Sequence, residues 1–296
     1  MKLLGIVLAV QVALGITLVT LVATDNLPFT GDNEADGSTA LPAALPVDRF
    51  DGAAAFRLLR RQVELGPRPA GSPESRRLAR LLRRIVPRGS YQEVPGGLRN
   101  VVGTVRGREP GYVIVGAHYD TKDIPGFVGA NDGASGTAVA AQLARSIRRP
   151  RHTVRFVFFD GEESPGGTPD RDFEETGLRG SKVAAQTFSD ARAMVLLDFV
   201  GDKRLSIPRD AGSNPALWRQ LRAAAGRVGA GPVFPDERAG AVIDDHVPFR
   251  DAGVPSIDLI DFRFPCWHRR CDDMSAVSER SVDAVGETII ELLRAL

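Results

Sequence analysis

Three of the four histidines in this 296-residue chain lie beside acidic residues, a combination that could bind a metal ion. Carboxylate and imidazole groups together suit Zn²⁺. A single histidine is more often structural than a ligand, so the acidic neighbours carry this prediction. The three segments are His118-Tyr119-Asp120, Asp244-Asp245-His246, and His268 with Asp272-Asp273 beyond it. The fourth, His152, follows Arg151, and we assign it to the surface and to no function.

The pair Glu162-Glu163 follows an apolar run and offers two carboxylates. Neighbouring side chains at the end of a strand point in different directions. One carboxylate can therefore bind a metal while the other acts as general acid or base on a substrate. The alternative is two solvated carboxylates in a loop, and the pair taken alone favours that alternative.

A segment of small residues, Gly129-Ala130-Asn131-Asp132-Gly133-Ala134-Ser135-Gly136, opens a predicted helix. Glycine permits tight backbone turns, and small side chains allow the chain to approach a metal site closely. Asp132 is then a candidate ligand. The alternative is an ordinary helix N-terminus with Asp132 as its cap.

Five short apolar runs rich in β-branched residues predict strands, and helical patterns separate several of them. Such alternation indicates one α/β domain with a mostly parallel mixed sheet covered by helices on both faces. The predicted strands are 100–105, 112–117, 154–159, 194–199 and 256–260. The predicted helices are 56–65, a segment after Pro73, 134–147, 181–186, 216–228 and 281–296.

Ligand sites in such sheets lie beyond the carboxyl ends of the strands. Four of the predicted strands lead to acids or histidine at that edge. These residues are His118 and Asp120, Glu162 and Glu163, Asp198, and His268. The sequence therefore predicts one site at this edge of the sheet.

Residues 3–23 carry no charge and follow Lys2, which predicts an uncleaved signal-anchor helix in the cell membrane. A cleaved signal peptide, which would release a secreted protein, is the alternative. Residues 24–47 are rich in Pro, Gly, Asp and Ala and indicate a flexible linker. With Lys2 on the cytoplasmic side, the positive-inside rule places a catalytic domain of residues 48–296 outside the cytoplasm. The net charge of +1 gives no indication of a nucleic-acid partner.

Ten short motifs occur in an order that resembles the superfamily of zinc aminopeptidases and glutaminyl-peptide cyclotransferases (glutaminyl cyclases). The resemblance covers residues 66–296. Each motif alone is weak, and the ordered set is specific. The motifs are RPAGSP (68–73), RNVVG (99–103), HYDTK (118–122), GANDGASG (129–136), FFDGEES (158–164), GLRGSKVAA (177–185), LLDFVG (196–201), DDHVPF (244–249), GVPSIDLI (253–260) and WH (267–268).

The resemblance implies an enzyme that acts on the N-termini of peptides or proteins. It implies zinc ligands at Asp132, Glu163 and His268 and a catalytic acid/base at Glu162. In the aminopeptidases two metals are bound, Asp132 bridges them, and His118 and Asp198 complete the second set. In the cyclases one zinc is bound. There Asp198 hydrogen-bonds around the acid/base, Asp245 contacts the substrate, and Trp267 and Phe264 form an apolar wall.

Four features resemble the cyclase branch. They are Lys122 in HYDTK, the insertion 165–176, the DDHVPF segment, and Trp267 directly before the ligand histidine. One feature departs from both branches, because Arg269 follows His268 where threonine is usual. The resemblance therefore favours a cyclase with one zinc, with an aminopeptidase as the alternative. A non-catalytic domain that only binds is disfavoured, because no expected ligand or acid/base is missing.

Cys266 and Cys271 are the only cysteines, and they bracket His268. They could be zinc ligands, although the carboxylate and histidine set already fills the site. They could be free thiols, which are unusual in an exported domain, or they could form a disulfide. The predicted compartment favours the disulfide between Cys266 and Cys271.

Overall fold

Six strands form one mixed sheet in the computed structural model, which describes residues 41, 42 and 44–296. The strand order is β1-β2-β4-β3-β5-β6. Strands β4, β3, β5 and β6 are parallel, while β1 with β2 and β2 with β4 pair antiparallel. The strands are β1 (Ser90–Val94), β2 (Leu98–Val105), β3 (Glu109–His118), β4 (His152–Phe159), β5 (Ala193–Asp198) and β6 (Ser256–Ile260). The predicted α/β class with a mostly parallel mixed sheet is confirmed.

Helices cover both faces of this sheet. The α-helices are α1 (Gly52–Val63), α2 (Pro73–Ile85), α3 (Ala134–Ser146), α4 (Phe173–Thr176), α5 (Arg179–Thr187), α6 (Pro215–Arg227), α7 (His246–Asp251) and α8 (Glu279–Ala295). Short 3₁₀ turns occupy Asp170–Asp172 and Gly231–Val233. The segment Leu41–Leu296 forms one compact unit with its own core.

Alternating side chains of the strands separate the two halves of the core. Successive residues of a strand point to opposite faces, so Val113 and Val115 of β3 pack with α1, α2, α3, α6 and α8. Ile114, between them, packs on the other face with Phe188 and Phe249 from around α5 and α7. Both faces of the central strands are therefore buried, which explains their nearly continuous apolar sequences.

Local sequence fixes several helix starts. The side chains of Ser72 and Ser278 accept hydrogen bonds from the Ser75 and Ser281 amides, which caps α2 and α8. Asn214 caps α6, where Pro215 takes the first helical position. Helix α3 begins without such a side-chain cap, at a glycine discussed below.

The structure corrects two details of the sequence analysis. Strand β1 was not predicted; its short edge sequence SYQEV has no apolar run to mark it. His152 is not on the surface: it is 6% exposed, it begins β4, and its Nδ1 lies 2.6 Å from the Pro110 carbonyl oxygen. The start of β3 covers the ring, a contact between residues 42 positions apart.

The predicted membrane segment 3–23 and the linker up to residue 40 lie outside the described residues. Among residues 41, 42 and 44–296, no helix is both long and apolar enough to cross a bilayer.

Candidate metal centre and cleft

The carboxyl ends of the parallel strands meet beneath a cleft of about 450 Å³. Strands β3 and β5 end at His118 and Asp198, and Glu162-Glu163 follow the end of β4. Asp132, Glu162, Glu163, Asp198 and His268 all line this cleft. The structure thus brings together residues that are up to 136 positions apart in the sequence, as the strand-end pattern predicted.

Asp132, Glu163 and His268 form the first of two possible donor sets. The Nε2 atom of His268 lies 3.2 Å from Oε1 of Glu163 and 3.7 Å from Oδ2 of Asp132. The second set is His118, Asp132 and Asp198. There Nε2 of His118 lies 3.3 Å from Oδ1 of Asp132 and 3.3 Å from Oδ1 of Asp198. Asp132 therefore faces one set with each carboxylate oxygen.

These donors fit a zinc ion. Bonds of about 2.0–2.1 Å to a tetrahedral zinc place neighbouring donor atoms about 3.3 Å apart, close to the separations found. Oδ2 of Asp132 is buried and has no hydrogen-bond partner within the described residues, so a cation would satisfy it. Burial, followed by the charge of Glu163, raises the pKa of Asp132 to about 6, and the contact with His118 offsets only part of this rise.

Asp132 does not cap α3, so the alternative for this residue is excluded. The N-cap is Gly133, with φ of +79° and no side-chain cap. A Cβ there would lie 2.7 Å from the Asp120 carbonyl oxygen and 3.0 Å from Cε1 of His118. Glycine is required at this turn because both the backbone angle and the neighbouring site exclude a side chain.

Two buried groups not assigned from the sequence hold the Asp132 loop. The Asp272 carboxylate accepts hydrogen bonds from the amides of Asn131 at 2.7 Å and Asp132 at 3.0 Å. Arg68 is fully buried and donates to the carbonyl oxygens of Val128 at 2.6 Å and Gly129 at 3.0 Å. The loop is fixed from both sides, which orients its ligand before any ion binds.

The Glu162-Glu163 segment is held in a similar way by Asp120. Its carboxylate accepts from the Glu162 amide at 3.3 Å and from the Glu163 amide at 3.2 Å. Lys122 Nζ lies 3.1 Å from Oε2 of Glu163, so it contacts the oxygen other than the one near His268. Burial would raise the pKa of Glu163, but the contacts with His268 and Lys122 lower it, so this carboxylate stays ionised.

Glu162 is 8% exposed and lies at the cleft floor among other acids. Burial, followed by the charge of Glu163, raises the pKa of Glu162 well above its usual value. Asp244 and Asp245 act in the same direction. A bound cation would favour the ionised form instead. A carboxylate whose proton affinity depends on its neighbours in this way is suited to exchange protons with a substrate.

The predicted substrate-contacting residues occupy different depths. Trp267 lines the cleft and is 40% exposed, whereas Phe264 is 4% exposed and lies outside the lining. Phe264 packs beneath Phe199, with ring centroids 6.1 Å apart. Phe262, two residues earlier, lines the cleft at 48% exposure and was not singled out in the sequence. The apolar wall is therefore built by Trp267 and Phe262 at the surface, with Phe264 supporting it from below.

A similar division occurs in the Asp244-Asp245 pair. Asp244 lines the cleft, while Asp245 is fully buried at the start of α7. Both oxygens of Asp245 lack a hydrogen-bond partner within the described residues, and burial raises its pKa to about 7.

His246, next in sequence, lies outside both donor sets, between Asp210 and Asp258 at 3.5 Å from each. Of the three acid-flanked histidines, His118 and His268 thus reach the candidate metal centre.

The insertion 165–176 also reaches the cleft. It contains a 3₁₀ turn and α4, and it contributes Asp170 and Phe173 to the lining. Phe173 lies below the ammonium of Lys122, 5.9 Å from ring centroid to nitrogen. The insertion therefore forms part of the cleft wall.

The predicted disulfide between Cys266 and Cys271 is confirmed. It closes the turn that carries His268, whose φ of +51° lies in the left-handed region. Such a backbone costs about 1–2 kcal/mol for a residue other than glycine. The Trp267 ring stacks on His268 with centroids 4.4 Å apart. Disulfide and stacking together hold the imidazole toward Asp132 and Glu163.

We expect the double variant Cys266→Ser/Cys271→Ser to fold but to bind zinc about 10–100-fold more weakly, as loss of a supporting partner around a ligand usually does. The reason is that the turn is then free to leave the left-handed conformation at His268. Competition with a chromophoric chelator measures the affinity. Treatment of the wild-type protein with a phosphine reductant, which does not bind zinc strongly, breaks the same disulfide without a mutation. It should weaken zinc binding in the same way. Unchanged zinc affinity in both samples would contradict this role.

Comparisons with known proteins identify the family and relatives that this chain resembles. The model of peptidase family M28 matches residues 100–293. Glutaminyl-peptide cyclotransferase from Bos taurus is 27% identical over 241 residues, 67% of this chain and 66% of the relative. Aminopeptidase YwaD from Bacillus subtilis is 26% identical over 212 residues, 64% of this chain and 43% of the relative. The chain therefore spans less than two thirds of the length of these curated relatives.

Two similar solved structures are named after the same two activities. Glutaminyl cyclase from Porphyromonas gingivalis superposes with a TM-score of 0.72 at 29% identity, covering 84% of this chain and 99% of the other. A leucine aminopeptidase precursor from Bacteroides thetaiotaomicron superposes with a TM-score of 0.76 at 27% identity, covering 86% and 100%. The fold is thus the one shared by bacterial glutaminyl cyclases and zinc exopeptidases.

Proposed function

Because this chain belongs to peptidase family M28, we propose that it is a zinc-dependent glutaminyl-peptide cyclotransferase. It converts the N-terminal glutamine of peptides or proteins to pyroglutamate and releases ammonia. Its zinc is held by Asp132, Glu163 and His268. Zinc bound there supplies a Lewis acid for the γ-amide oxygen of the glutamine.

The observation that carries the proposal is the position of Lys122. Its ammonium lies 3.1 Å from Oε2 of Glu163 and leaves Oε1 facing His268. The Lys122 ammonium also lines the cleft, where its positive charge repels any cation beyond the one held by the first donor set. This supports a centre with one metal ion, as the resemblance of HYDTK to the cyclases implies.

The residues of the cleft hold the substrate and transfer the proton in the proposed reaction. The apolar wall of Trp267 and Phe262 holds the short side chain of the N-terminal residue against the cleft floor. The α-amine attacks the γ-carbonyl carbon, so a new C–N bond forms and the bond to the amide nitrogen breaks. Glu162 takes a proton from the amine and passes it to the departing nitrogen, which leaves as ammonia. Asp198 and the pair Asp244-Asp245 act on the proton affinity of Glu162 through their charges.

An aminopeptidase is the second candidate, and the second donor set favours it. His118 and Asp198 lie around Oδ1 of Asp132 with the spacing that another metal ion would need. With two ions, Glu162 would instead activate a water molecule for attack on the first peptide bond. The same residues therefore serve either reaction, and the number of ions and the product distinguish them.

The disulfide supports the proposal that residues 48–296 lie outside the cytoplasm. Disulfides persist in oxidising compartments and are rare in the cytosol. We propose a single-pass membrane protein with an extracytoplasmic catalytic domain, held by the helix predicted at residues 3–23. Reporter fusions at the C-terminus that are active only in the cytoplasm would contradict this topology.

Incubation of the purified, zinc-loaded protein with a Gln-peptide and, separately, a leucine anilide tests the proposed reaction. We expect ammonia and a pyroglutamyl peptide from the first and no aniline from the second. Glu175→Gln, an exposed glutamate of the insertion, is a suitable control and should keep full activity. Release of aniline without ammonia would identify the aminopeptidase. Neither product from either substrate would favour a domain that only binds.

A further inference from the structure

The charge of this protein is unevenly distributed. Residues 57–88 contain ten arginines and two glutamates, a net charge of +8 in a chain whose total is +1. Fourteen aspartates and glutamates are buried in the described residues, many of them around the cleft, whereas Arg68 is the only buried arginine or lysine there. Buried acids therefore balance exposed arginines in the total, and the outer surface around residues 57–88 is strongly positive.

Helices α1 and α2 carry most of this charge on the outside. Leu78, Ala79 and Leu82 of α2 are buried, and both helices pack into the same half of the core. Nine arginines between residues 57 and 88 are exposed, and none of them forms an ion pair within the described residues. We call these nine the arginine face: Arg57, Arg60, Arg61, Arg76, Arg77, Arg80, Arg83, Arg84 and Arg88.

The arginine face is densest on α2. Its five arginines from Arg76 to Arg84 lie within about 12 Å of helix length. Arg80 has like charges three or four positions away on both sides, an arrangement that destabilises an isolated helix. Glu74 is the only acid of α2. This repulsion is relieved if the arginines contact an anionic partner.

The patch extends beyond the two helices. The guanidinium groups of Arg83 and Arg99 both lie over the ring of Tyr91, at 4.9 and 5.1 Å from its centroid. Tyr91 is part of β1 at the sheet edge. The stacking holds the exposed Arg83 close to the half-buried Arg99, although nothing in the catalytic proposal requires two positive charges there.

We propose that the arginine face binds the headgroups of anionic phospholipids at a membrane surface. Arginine pairs with phosphate through two parallel N–H donors, and a row of arginines on exposed helices matches a plane of phosphates better than a single small anion. In the sequence, the face begins shortly after the segment predicted to cross the membrane. This lipid contact is independent of the proposed reaction, and it would orient the domain on the membrane.

Vesicle sedimentation of residues 41–296 tests the proposal, because this segment forms one compact unit and lacks the predicted anchor. The probes are phosphatidylcholine vesicles with and without one quarter phosphatidylglycerol, at roughly 0.1 and 0.5 M salt. We expect binding only to the anionic vesicles and mainly at low salt. Each arginine at such a surface contributes about fivefold in affinity, so Arg76→Glu/Arg80→Glu/Arg84→Glu should bind at least about a hundredfold more weakly.

The matched control is Arg204→Glu/Arg219→Glu/Arg294→Glu, three exposed arginines outside the face. It has the same charge change and should bind almost as well as wild type. Equal loss in both triple variants, or no wild-type binding to the anionic vesicles, would overturn the proposal. So would tighter wild-type binding to duplex DNA than to the vesicles, since that would identify a nucleic-acid surface. If the α2 variant does not fold by circular dichroism, Arg57→Gln/Arg60→Gln/Arg61→Gln replaces it, and the same outcomes decide.

Discussion

Glu162→Gln is expected to retain zinc and the native fold while losing about 10²- to 10⁴-fold in turnover, the usual contribution of a general acid/base. The amide has nearly the same shape as the carboxylate but cannot take a proton from the attacking amine. Glu162 lies at the cleft floor and is absent from both donor sets, so its replacement leaves the metal ligands in place. Steady-state rates on a Gln-peptide, with zinc content measured on the same sample, provide the test.

Its neighbour serves as the comparison for that experiment. Glu163→Gln should lose zinc as well as activity, because Glu163 belongs to a donor set and contacts both His268 and Lys122. The two variants differ by one position and therefore separate proton transfer from metal binding. If Glu162→Gln kept more than about a tenth of the wild-type rate, it would not be the acid/base.

Replacement of the two site histidines should have unequal effects on zinc. With one ion held by Asp132, Glu163 and His268, we expect one zinc per wild-type chain and nearly none in His268→Ala. The loss of affinity should exceed the 10–100-fold typical of outer-shell partners, because a direct ligand is removed. His118→Ala should still bind one zinc, since His118 is outside the first donor set and approaches Asp132 at the oxygen that faces the second set. Elemental analysis after dialysis against metal-free buffer measures the stoichiometry.

His152→Ala is the control for that series. His152 is also buried, but it lies at the start of β4 and outside both donor sets, so its zinc content should equal that of wild type. Two zinc ions in wild-type protein, with one lost in each of the His118 and His268 variants, would make His118 and Asp198 ligands. That result would replace the cyclase proposal with the aminopeptidase alternative.

The sequence by itself determined the class of fold and the edge of the sheet at which the site lies. Apolar runs such as 112–117 and 154–159 become strands buried on both faces, because short segments of β-branched and aromatic residues fit only there. Once these strands are parallel, the polar residues at their ends must share one edge. His118, Glu162, Glu163 and Asp198 could therefore be placed together before any coordinates were known.

The sequence also shows ten arginines within residues 57–88, nine of which form the arginine face. The net charge of the whole chain concealed it. Only the structure shows that many of the balancing acids are buried, so that this charge remains uncompensated outside. Total charge is a sum over residues, whereas the field at a surface depends on which of them are exposed.

Tertiary structure decided which residues support the ligands and which line the cleft. Asp272 holds the Asp132 loop from 140 positions away, and Arg68 holds it from 60, and neither pairing leaves a local signal. In the same way Phe262 lies at the surface and Phe264 beneath it, although both are phenylalanines of one short turn. Local sequence fixes strand and helix preferences over a few residues. Burial, hydrogen-bond partners and the orientation of individual side chains depend on which distant segments pack together, and packing is a property of the whole chain.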